Sequence, residues 1–92
     1  MSKWIVAENG TEAVNADNVS KFRAFLNDDG FYNVFAFQPG ILLGTELFKT
    51  TDDEEALDLL EEIYSFVSKE LVISPLFRVD EWVARRRGNE AT

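Results

Sequence analysis

The sequence predicts an α+β fold: an antiparallel β-meander of four to five strands packed on one long acidic helix, with a short C-terminal helix. Three observations carry this expectation. Residues 51–69 (TDDEEALDLLEEIYSFVSK) repeat apolar side chains at helical spacing. The first half of the chain breaks into short β-prone runs separated by Asn-Gly, Asp-Gly and Pro-Gly pairs. Residues 80–87 (DEWVARRR) open on an aspartate suited to N-capping and meet a glycine at position 88.

Taken in order, residues 3–8 (KWIVAE) read as a strand with Trp4 and Val6 on one side and Ile5 and Ala7 on the other. Asn9-Gly10 tolerates the two positive φ angles of a type I′ turn, so residues 11–14 are expected to return as a second strand. A turn at residues 15–18 leads to a strand over 19–26. Asn27-Asp28-Asp29-Gly30 is a further hairpin turn, followed by a strand over 31–37 (FYNVFAF). Pro39 and Gly40 stand where a type II turn places them, and residues 41–48 (ILLGTELF) form the next strand.

The acidic helix is the strongest local signal. Thr51 and Glu54 have the spacing of a capping box. Asp52, Asp53, Glu54 and Glu55 occupy the first turn, where the helix dipole favours negative charge. Ala56, Leu57, Leu59, Leu60, Ile63, Tyr64, Phe66 and Val67 share an apolar arc, and Glu54, Glu55, Asp58, Glu61 and Glu62 fill the opposite one. The helix is expected to end near Lys69. Residues 71–79 leave two readings open, because Ser74-Pro75 serves equally as a helix start or a strand interruption. The unit is a single domain over residues 1–87, with a frayed tail at 88–92.

Ninety-two residues with 46% hydrophobic content form one globular domain with a modest core. The chain has no cysteine and no histidine, which excludes disulfides, thiol chemistry and imidazole catalysis or ligation. No cofactor is expected. The N-terminus lacks the apolar core of a signal peptide and no apolar run reaches membrane length, so a cytoplasmic protein is expected.

The net charge of −8 is unevenly placed. Residues 50–70 carry eight acids and one base, −7, against −2 for residues 1–49 and +1 for residues 71–92. Such a field opposes direct binding to nucleic acid or anionic membranes and favours a protein partner with a basic surface. A charged helix face most often serves only solvation. Here, however, Glu54–Asp58 and Asp58–Glu62 are like-charge pairs at i,i+4, each costing about 0.2–0.5 kcal/mol in an isolated helix. A surface built for solubility alone would intersperse lysines.

Other candidates are weaker. The Asn27-Asp28-Asp29-Gly30 stretch lacks the alternating ligands and terminal glutamate of a calcium loop. Adjacent acids such as Glu61-Glu62 point about 100° apart on a helix, so no catalytic pair and no enzyme is expected. Arg85, Arg86 and Arg87 are expected to complement a helix C-terminus or the acidic helix. Trp82 and Tyr64 are candidate interface anchors, although each is more often a partly buried core residue.

A meander with one helix normally has one apolar face. Here one face would collect Trp4, Phe22, Leu26, Phe31, Phe35, Phe37, Ile41, Leu43 and Leu47, and the other Ile5, Phe25, Tyr32, Val34, Ala36, Leu42 and Phe48. Cover for the second face is expected from Leu76, Phe77 and Trp82, or from another chain.

The opening Trp4-Ile5-Val6, the segment Val14-Asn15-Ala16-Asp17-Asn18-Val19 with Phe22, and Thr51-Asp52-Asp53-Glu54-Glu55-Ala56 resemble a loose family of small, largely uncharacterised bacterial and phage proteins. The resemblance covers residues 3–70 and implies a short β-meander followed by one helix, with no activity and no site residues. In size and acidity the chain is also similar to phage inhibitors such as anti-CRISPR proteins. The function expected is non-enzymatic protein binding, as an acidic decoy that meets a basic nucleic-acid-handling protein through Glu54, Glu55, Asp58, Glu61, Glu62 and Trp82. The alternative is a small structural or regulatory protein that homodimerises through its aromatic sheet face.

Overall fold

The structure is a computed structural model that describes residues 2–70 and 74–91, with side chains as far as Gly88. It is α+β, but the expected meander is divided. One sheet contains β1 (Trp4–Val6), β2 (Ala13–Asn15) and β6 (Leu76–Arg78) in the order β2-β1-β6. The other contains β3 (Lys21–Leu26), β4 (Tyr32–Phe37) and β5 (Thr45–Thr50) in sequential order. Helix α1 (Asp53–Ser68) and helix α2 (Val79–Ala91) complete the chain.

The turns explain why the strands pair as they do. Gly10 N–H donates to the Ala7 carbonyl at 2.9 Å, and Gly10 alone in that turn has positive φ, 75°. The Asn9-Gly10 turn is therefore not type I′. It is a type I turn followed by a glycine in the left-handed region, inside a four-residue loop between the paired Ala7 and Glu12. The same turn and glycine close β3–β4, where Gly30 N–H donates to Asn27 O at 3.1 Å and Gly30 has φ 86°. Asn15 caps one 3₁₀ turn at Ala16–Asn18 by accepting from Asp17 N–H, which delays β3 to Lys21 rather than residue 19.

The strand expected over 41–48 starts only at Thr45. Ile41 N–H closes the Pro39-Gly40 turn on Gln38 O at 3.2 Å, with Gly40 at φ 77°. Ile41, Leu42 and Leu43 then stand exposed instead of pairing. Gly44 passes over the Phe37 ring so closely that a Cβ there would lie 2.9 Å from it.

Antiparallel register sets the two faces of the second sheet. Phe22 lies opposite Ala36, and Val34 lies between Ala24 and Phe48; Phe22, Val34, Ala36 and Phe48 are all buried. Phe25, Phe35 and Phe37 project from the other face, so Phe22 and Phe35 do not share a face as expected. The reason is the hairpin loop, which pairs Leu26 with Tyr32 and so fixes the parity of the β3–β4 pairs, whereas the β4–β5 register shifts by one between Val34 and Phe35.

Helix α1 lies across the Phe22 side of this sheet and buries Ala56, Leu59, Ile63 and Phe66. Its buried stripe is narrower than the apolar arc of the sequence, because Leu57 and Tyr64 are exposed. Tyr64 Oη donates to Phe22 O at 3.0 Å, and its ring meets Phe22 edge-on, fixing the helix to the edge strand β3. The helix has no basic residue in its last turn. Lys3, just before β1, supplies that charge by donating to Phe66 O at 3.0 Å, Val67 O at 2.9 Å and also Lys69 O.

Strand β6 runs parallel to β1, with Ile5 opposite Phe77, and Trp4 N–H donates to Pro75 O at 2.8 Å. This resolves Ser74-Pro75 as the approach to a strand; residues 71–73 of that ambiguous segment lie outside the described residues. Phe77 packs on Phe66 and Trp82 edge-on against Phe48, so the C-terminal segment covers the core side and not the Phe25 face. Helix α2 does not stop at Gly88 but continues to Ala91. No helix among the described residues is long and apolar enough to cross a membrane.

Candidate protein-binding surface

The N-terminus of α1 places the acidic residues differently from expectation. Asp52, not Thr51, is the N-cap: its Oδ1 accepts from Glu54 N–H at 3.0 Å. Thr50 Oγ1 accepts from Asp52 N–H at 3.1 Å and so takes the backbone donor that a capping-box glutamate would have filled. Glu55 is then free to turn inward. It is 5% exposed, accepts from Thr50 Oγ1 at 2.7 Å and from Arg87 Nη2 at 2.8 Å, and lies 3.5 Å from Arg86 Nε.

Glu55 therefore belongs to the interior and not to the acidic outer face. Burial pushes its carboxyl up. The hydrogen bonds from Arg87 and Thr50 and the two guanidinium charges outweigh burial and hold it below the ordinary carboxylate value. Glu8 behaves oppositely: burial raises its pKa, Arg87 opposes that, and the neighbouring Glu55 and Glu46 charges raise it further.

Helix α2 brings its cations to α1. Arg86 Nη1 pairs with Asp58 Oδ2 at 2.8 Å, and its guanidinium stands 5.4 Å from the centroid of the Trp82 ring. The acidic helix thus acquires from α2 the basic partners missing from its own i+4 positions. Between the helices lies an open cleft lined by Asp58, Glu61, Glu62, Ser65, Trp82 and Arg86, enclosing about 390 Å³.

The structure brings four of the six expected residues, Asp58, Glu61, Glu62 and Trp82, to this cleft. Glu54 is exposed one turn away, near the start of α1, and Glu55 is withdrawn behind Arg86 and Arg87. Among the described residues, Glu61 and Glu62 form no ion pair, whereas Asp58 does. Sequence reasoning missed Arg86 as a cleft residue. The signal was its i+4 spacing from Trp82, which stacks the two on one helix face. It also missed Leu57 as an exposed apolar group beside the acids, whereas Tyr64, a candidate anchor, is indeed exposed there.

Compared with known proteins, the chain matches no family model, no curated protein and no solved structure. What the surface can do is therefore read from its chemistry. Carboxylates around an indole suit an ammonium or guanidinium carrying an apolar stem. Arg86 occupies that kind of seat within the molecule. Among the described residues, no group of three or more acidic side chains is arranged to hold a metal ion.

Proposed function

We propose that this chain is a non-enzymatic binding module of bacterial or phage origin. Its α1 face and α1/α2 cleft receive a basic segment of a nucleic-acid-handling protein, in the manner of an acidic, anti-CRISPR-like decoy. One observation carries the reading: among the described residues Glu61 and Glu62 form no ion pair, and they stand beside Asp58 and Trp82, where Arg86 already lies against both the carboxylate and the ring. A partner's arginine or lysine would meet the same chemistry. Most of the chain's negative charge sits on α1, which speeds approach of a basic surface and makes capture salt-sensitive.

The test is capture of a basic partner from bacterial lysate, with an arginine-rich peptide measured in parallel. Glu61→Lys with Glu62→Lys is expected to abolish both while far-UV circular dichroism stays unchanged, since neither side chain holds the fold together. Adding Asp58→Lys also breaks the Arg86 pair and is expected to cost some stability. Undiminished peptide binding by the Glu61/Glu62 variant defeats the reading.

The rival, homodimerisation through an aromatic sheet face, has support in the Phe25, Phe35 and Phe37 rings projecting away from α1. Against a symmetric pair, Lys21 and Arg23 lie among those rings and would face their own kind across the interface.

A further inference from the structure

The sheet β3–β4–β5 has α1 on one face only. On the other, Phe25, Phe35 and Phe37 form a cluster with ring centroids 5.9 to 6.0 Å apart. Two cations lie over it: Lys21 Nζ is 5.4 Å from the Phe37 centroid, and the Arg23 guanidinium is 4.7 Å from that of Phe25. Neither has an ion pair among the described residues, whereas Lys49 on the same face is engaged by Asp29, and Glu46, opposite Phe35 at the β5 side of the face, accepts from Asn33 Nδ2. Next to Phe37 the chain leaves through Leu42 and Leu43, which are 97% and 85% exposed. An aromatic and aliphatic patch whose Lys21 and Arg23 cations have rings but no paired carboxylate beside them among the described residues marks a docking surface.

The complement of this patch is present on the same molecule. Glu54, Leu57, Glu61 and Tyr64 follow one another at spacings of three, four and three along α1 and form a single exposed stripe. It alternates carboxylate and apolar groups, as the patch alternates cation and ring. The stripe from Glu54 to Tyr64 rises about 15 Å along the helix and fits within the roughly 20 Å that a six-residue strand spans.

We propose that the outer face of β3–β4–β5 in one copy docks the Glu54–Leu57–Glu61–Tyr64 stripe of a second copy. The proposal rests on the reading of the exposed α1 face as a docking surface. The two surfaces are different, so each added copy still presents one of each, and the assembly grows head to tail without closing at a dimer.

Charge sets a distinctive salt dependence. Each copy carries −8 and repels the other at long range, while the contact itself pairs opposite charges. The Debye length is about 30 Å at 0.01 M, about 8 Å at 0.15 M and about 3 Å at 1 M. At low salt the whole molecules repel, at high salt the local pairs are screened, and association is strongest between.

Sedimentation equilibrium of the full chain tests this. The average mass is expected to rise with concentration past that of a dimer, and to peak at the intermediate ionic strength. Lys21→Glu with Arg23→Glu, and separately Glu54→Lys with Glu61→Lys, are each expected to be monomeric, while mixing the two variants in equal amounts restores association. A monomer at every ionic strength overturns the proposal. So does a mass that rises steadily with salt, or a mixture that stays monomeric, or a helix variant that still self-associates. Binding of an arginine-rich peptide by the wild type, measured alongside, separates the two ideas. A monomer that binds the peptide removes only self-association, whereas a monomer that does not removes the α1 docking surface as well.

Discussion

Replacing Glu55 with alanine is the perturbation with the largest expected consequence. Its carboxylate accepts from Thr50 Oγ1 at 2.7 Å and Arg87 Nη2 at 2.8 Å, and faces Arg86 Nε at 3.5 Å. Truncation leaves a buried hydroxyl without its acceptor and two guanidiniums without their shared counter-charge. Removing one partner of a fully buried pair costs roughly 3–5 kcal/mol. The side chains of Arg86 and Arg87 are 30% and 53% exposed, so water recovers part of that loss. A cost of about 2–3 kcal/mol is expected, in the range of one charge-assisted hydrogen bond. For a domain of this size that lowers Tm by roughly 8–24 °C. Glu55→Gln keeps an acceptor for Thr50 and is expected to lose about half as much.

Thermal and urea unfolding followed by circular dichroism at pH 7 measures both variants. The pH dependence adds a second check. The folded-state pKa of Glu55 lies below its ordinary value, so its contribution is complete above the ordinary carboxylate pKa and fades as pH falls through the folded value. The gap between wild type and Glu55→Gln should therefore close on acidification. Glu8 has a raised pKa and works in the opposite sense, gaining stability as it protonates, so the comparison is cleanest in a Glu8→Gln background. A Glu55→Ala variant within about 0.5 kcal/mol of wild type, the range of ordinary surface changes, would refute the argument that this cluster ties α2 to α1. So would a gap that ignores pH.

Two further substitutions probe the ends of α1. Asp52→Ala is expected to cost about 1 kcal/mol and Thr51→Ala almost nothing; the reverse order in urea unfolding would restore Thr51 as the cap. Lys3→Met removes the cation from the α1 carbonyls at Phe66 and Val67 and is expected to cost about 1 kcal/mol, up to about 2 in this partly buried setting. Amide hydrogen exchange in the last turn of α1 should accelerate in that variant, and unchanged protection there would show that Lys3 is not its cap.

Features decided within a few residues of chain were legible in the sequence. The two hairpin positions, the Pro39-Gly40 turn, the end of α1 at Ser68 and the α+β class all follow from local backbone preference and helical spacing. Even there, turn type was not settled locally, because a type I turn with a following left-handed glycine uses the same Asn-Gly letters as type I′. The choice between Thr51 and Asp52 as cap depended on Thr50, whose hydroxyl is held at the end of β5 by Glu55. The uneven charge and the i,i+4 repulsions on α1 were visible too. They drew attention to Asp58, Glu61 and Glu62, which do line one cleft with Trp82.

What sequence alone determined about this protein, then, is its vocabulary: strands, turns, an acidic amphipathic helix and a late cluster of arginines. Tertiary structure decided which of these meet. Strand β6 joins β1 in parallel across most of the chain's length, so residues 3–15 enter a separate sheet instead of extending the meander. That placement carries Lys3 to the C-terminus of α1 and α2 to its N-terminal half, where Arg86 and Arg87 draw Glu55 inward and leave Glu61 and Glu62 outside. The physical reason is that helical spacing fixes angles around one axis, whereas burial depends on what lies at each angle. The neighbours of α1 come from the sheet β3–β4–β5 and from both ends of the chain, and no local pattern records their approach.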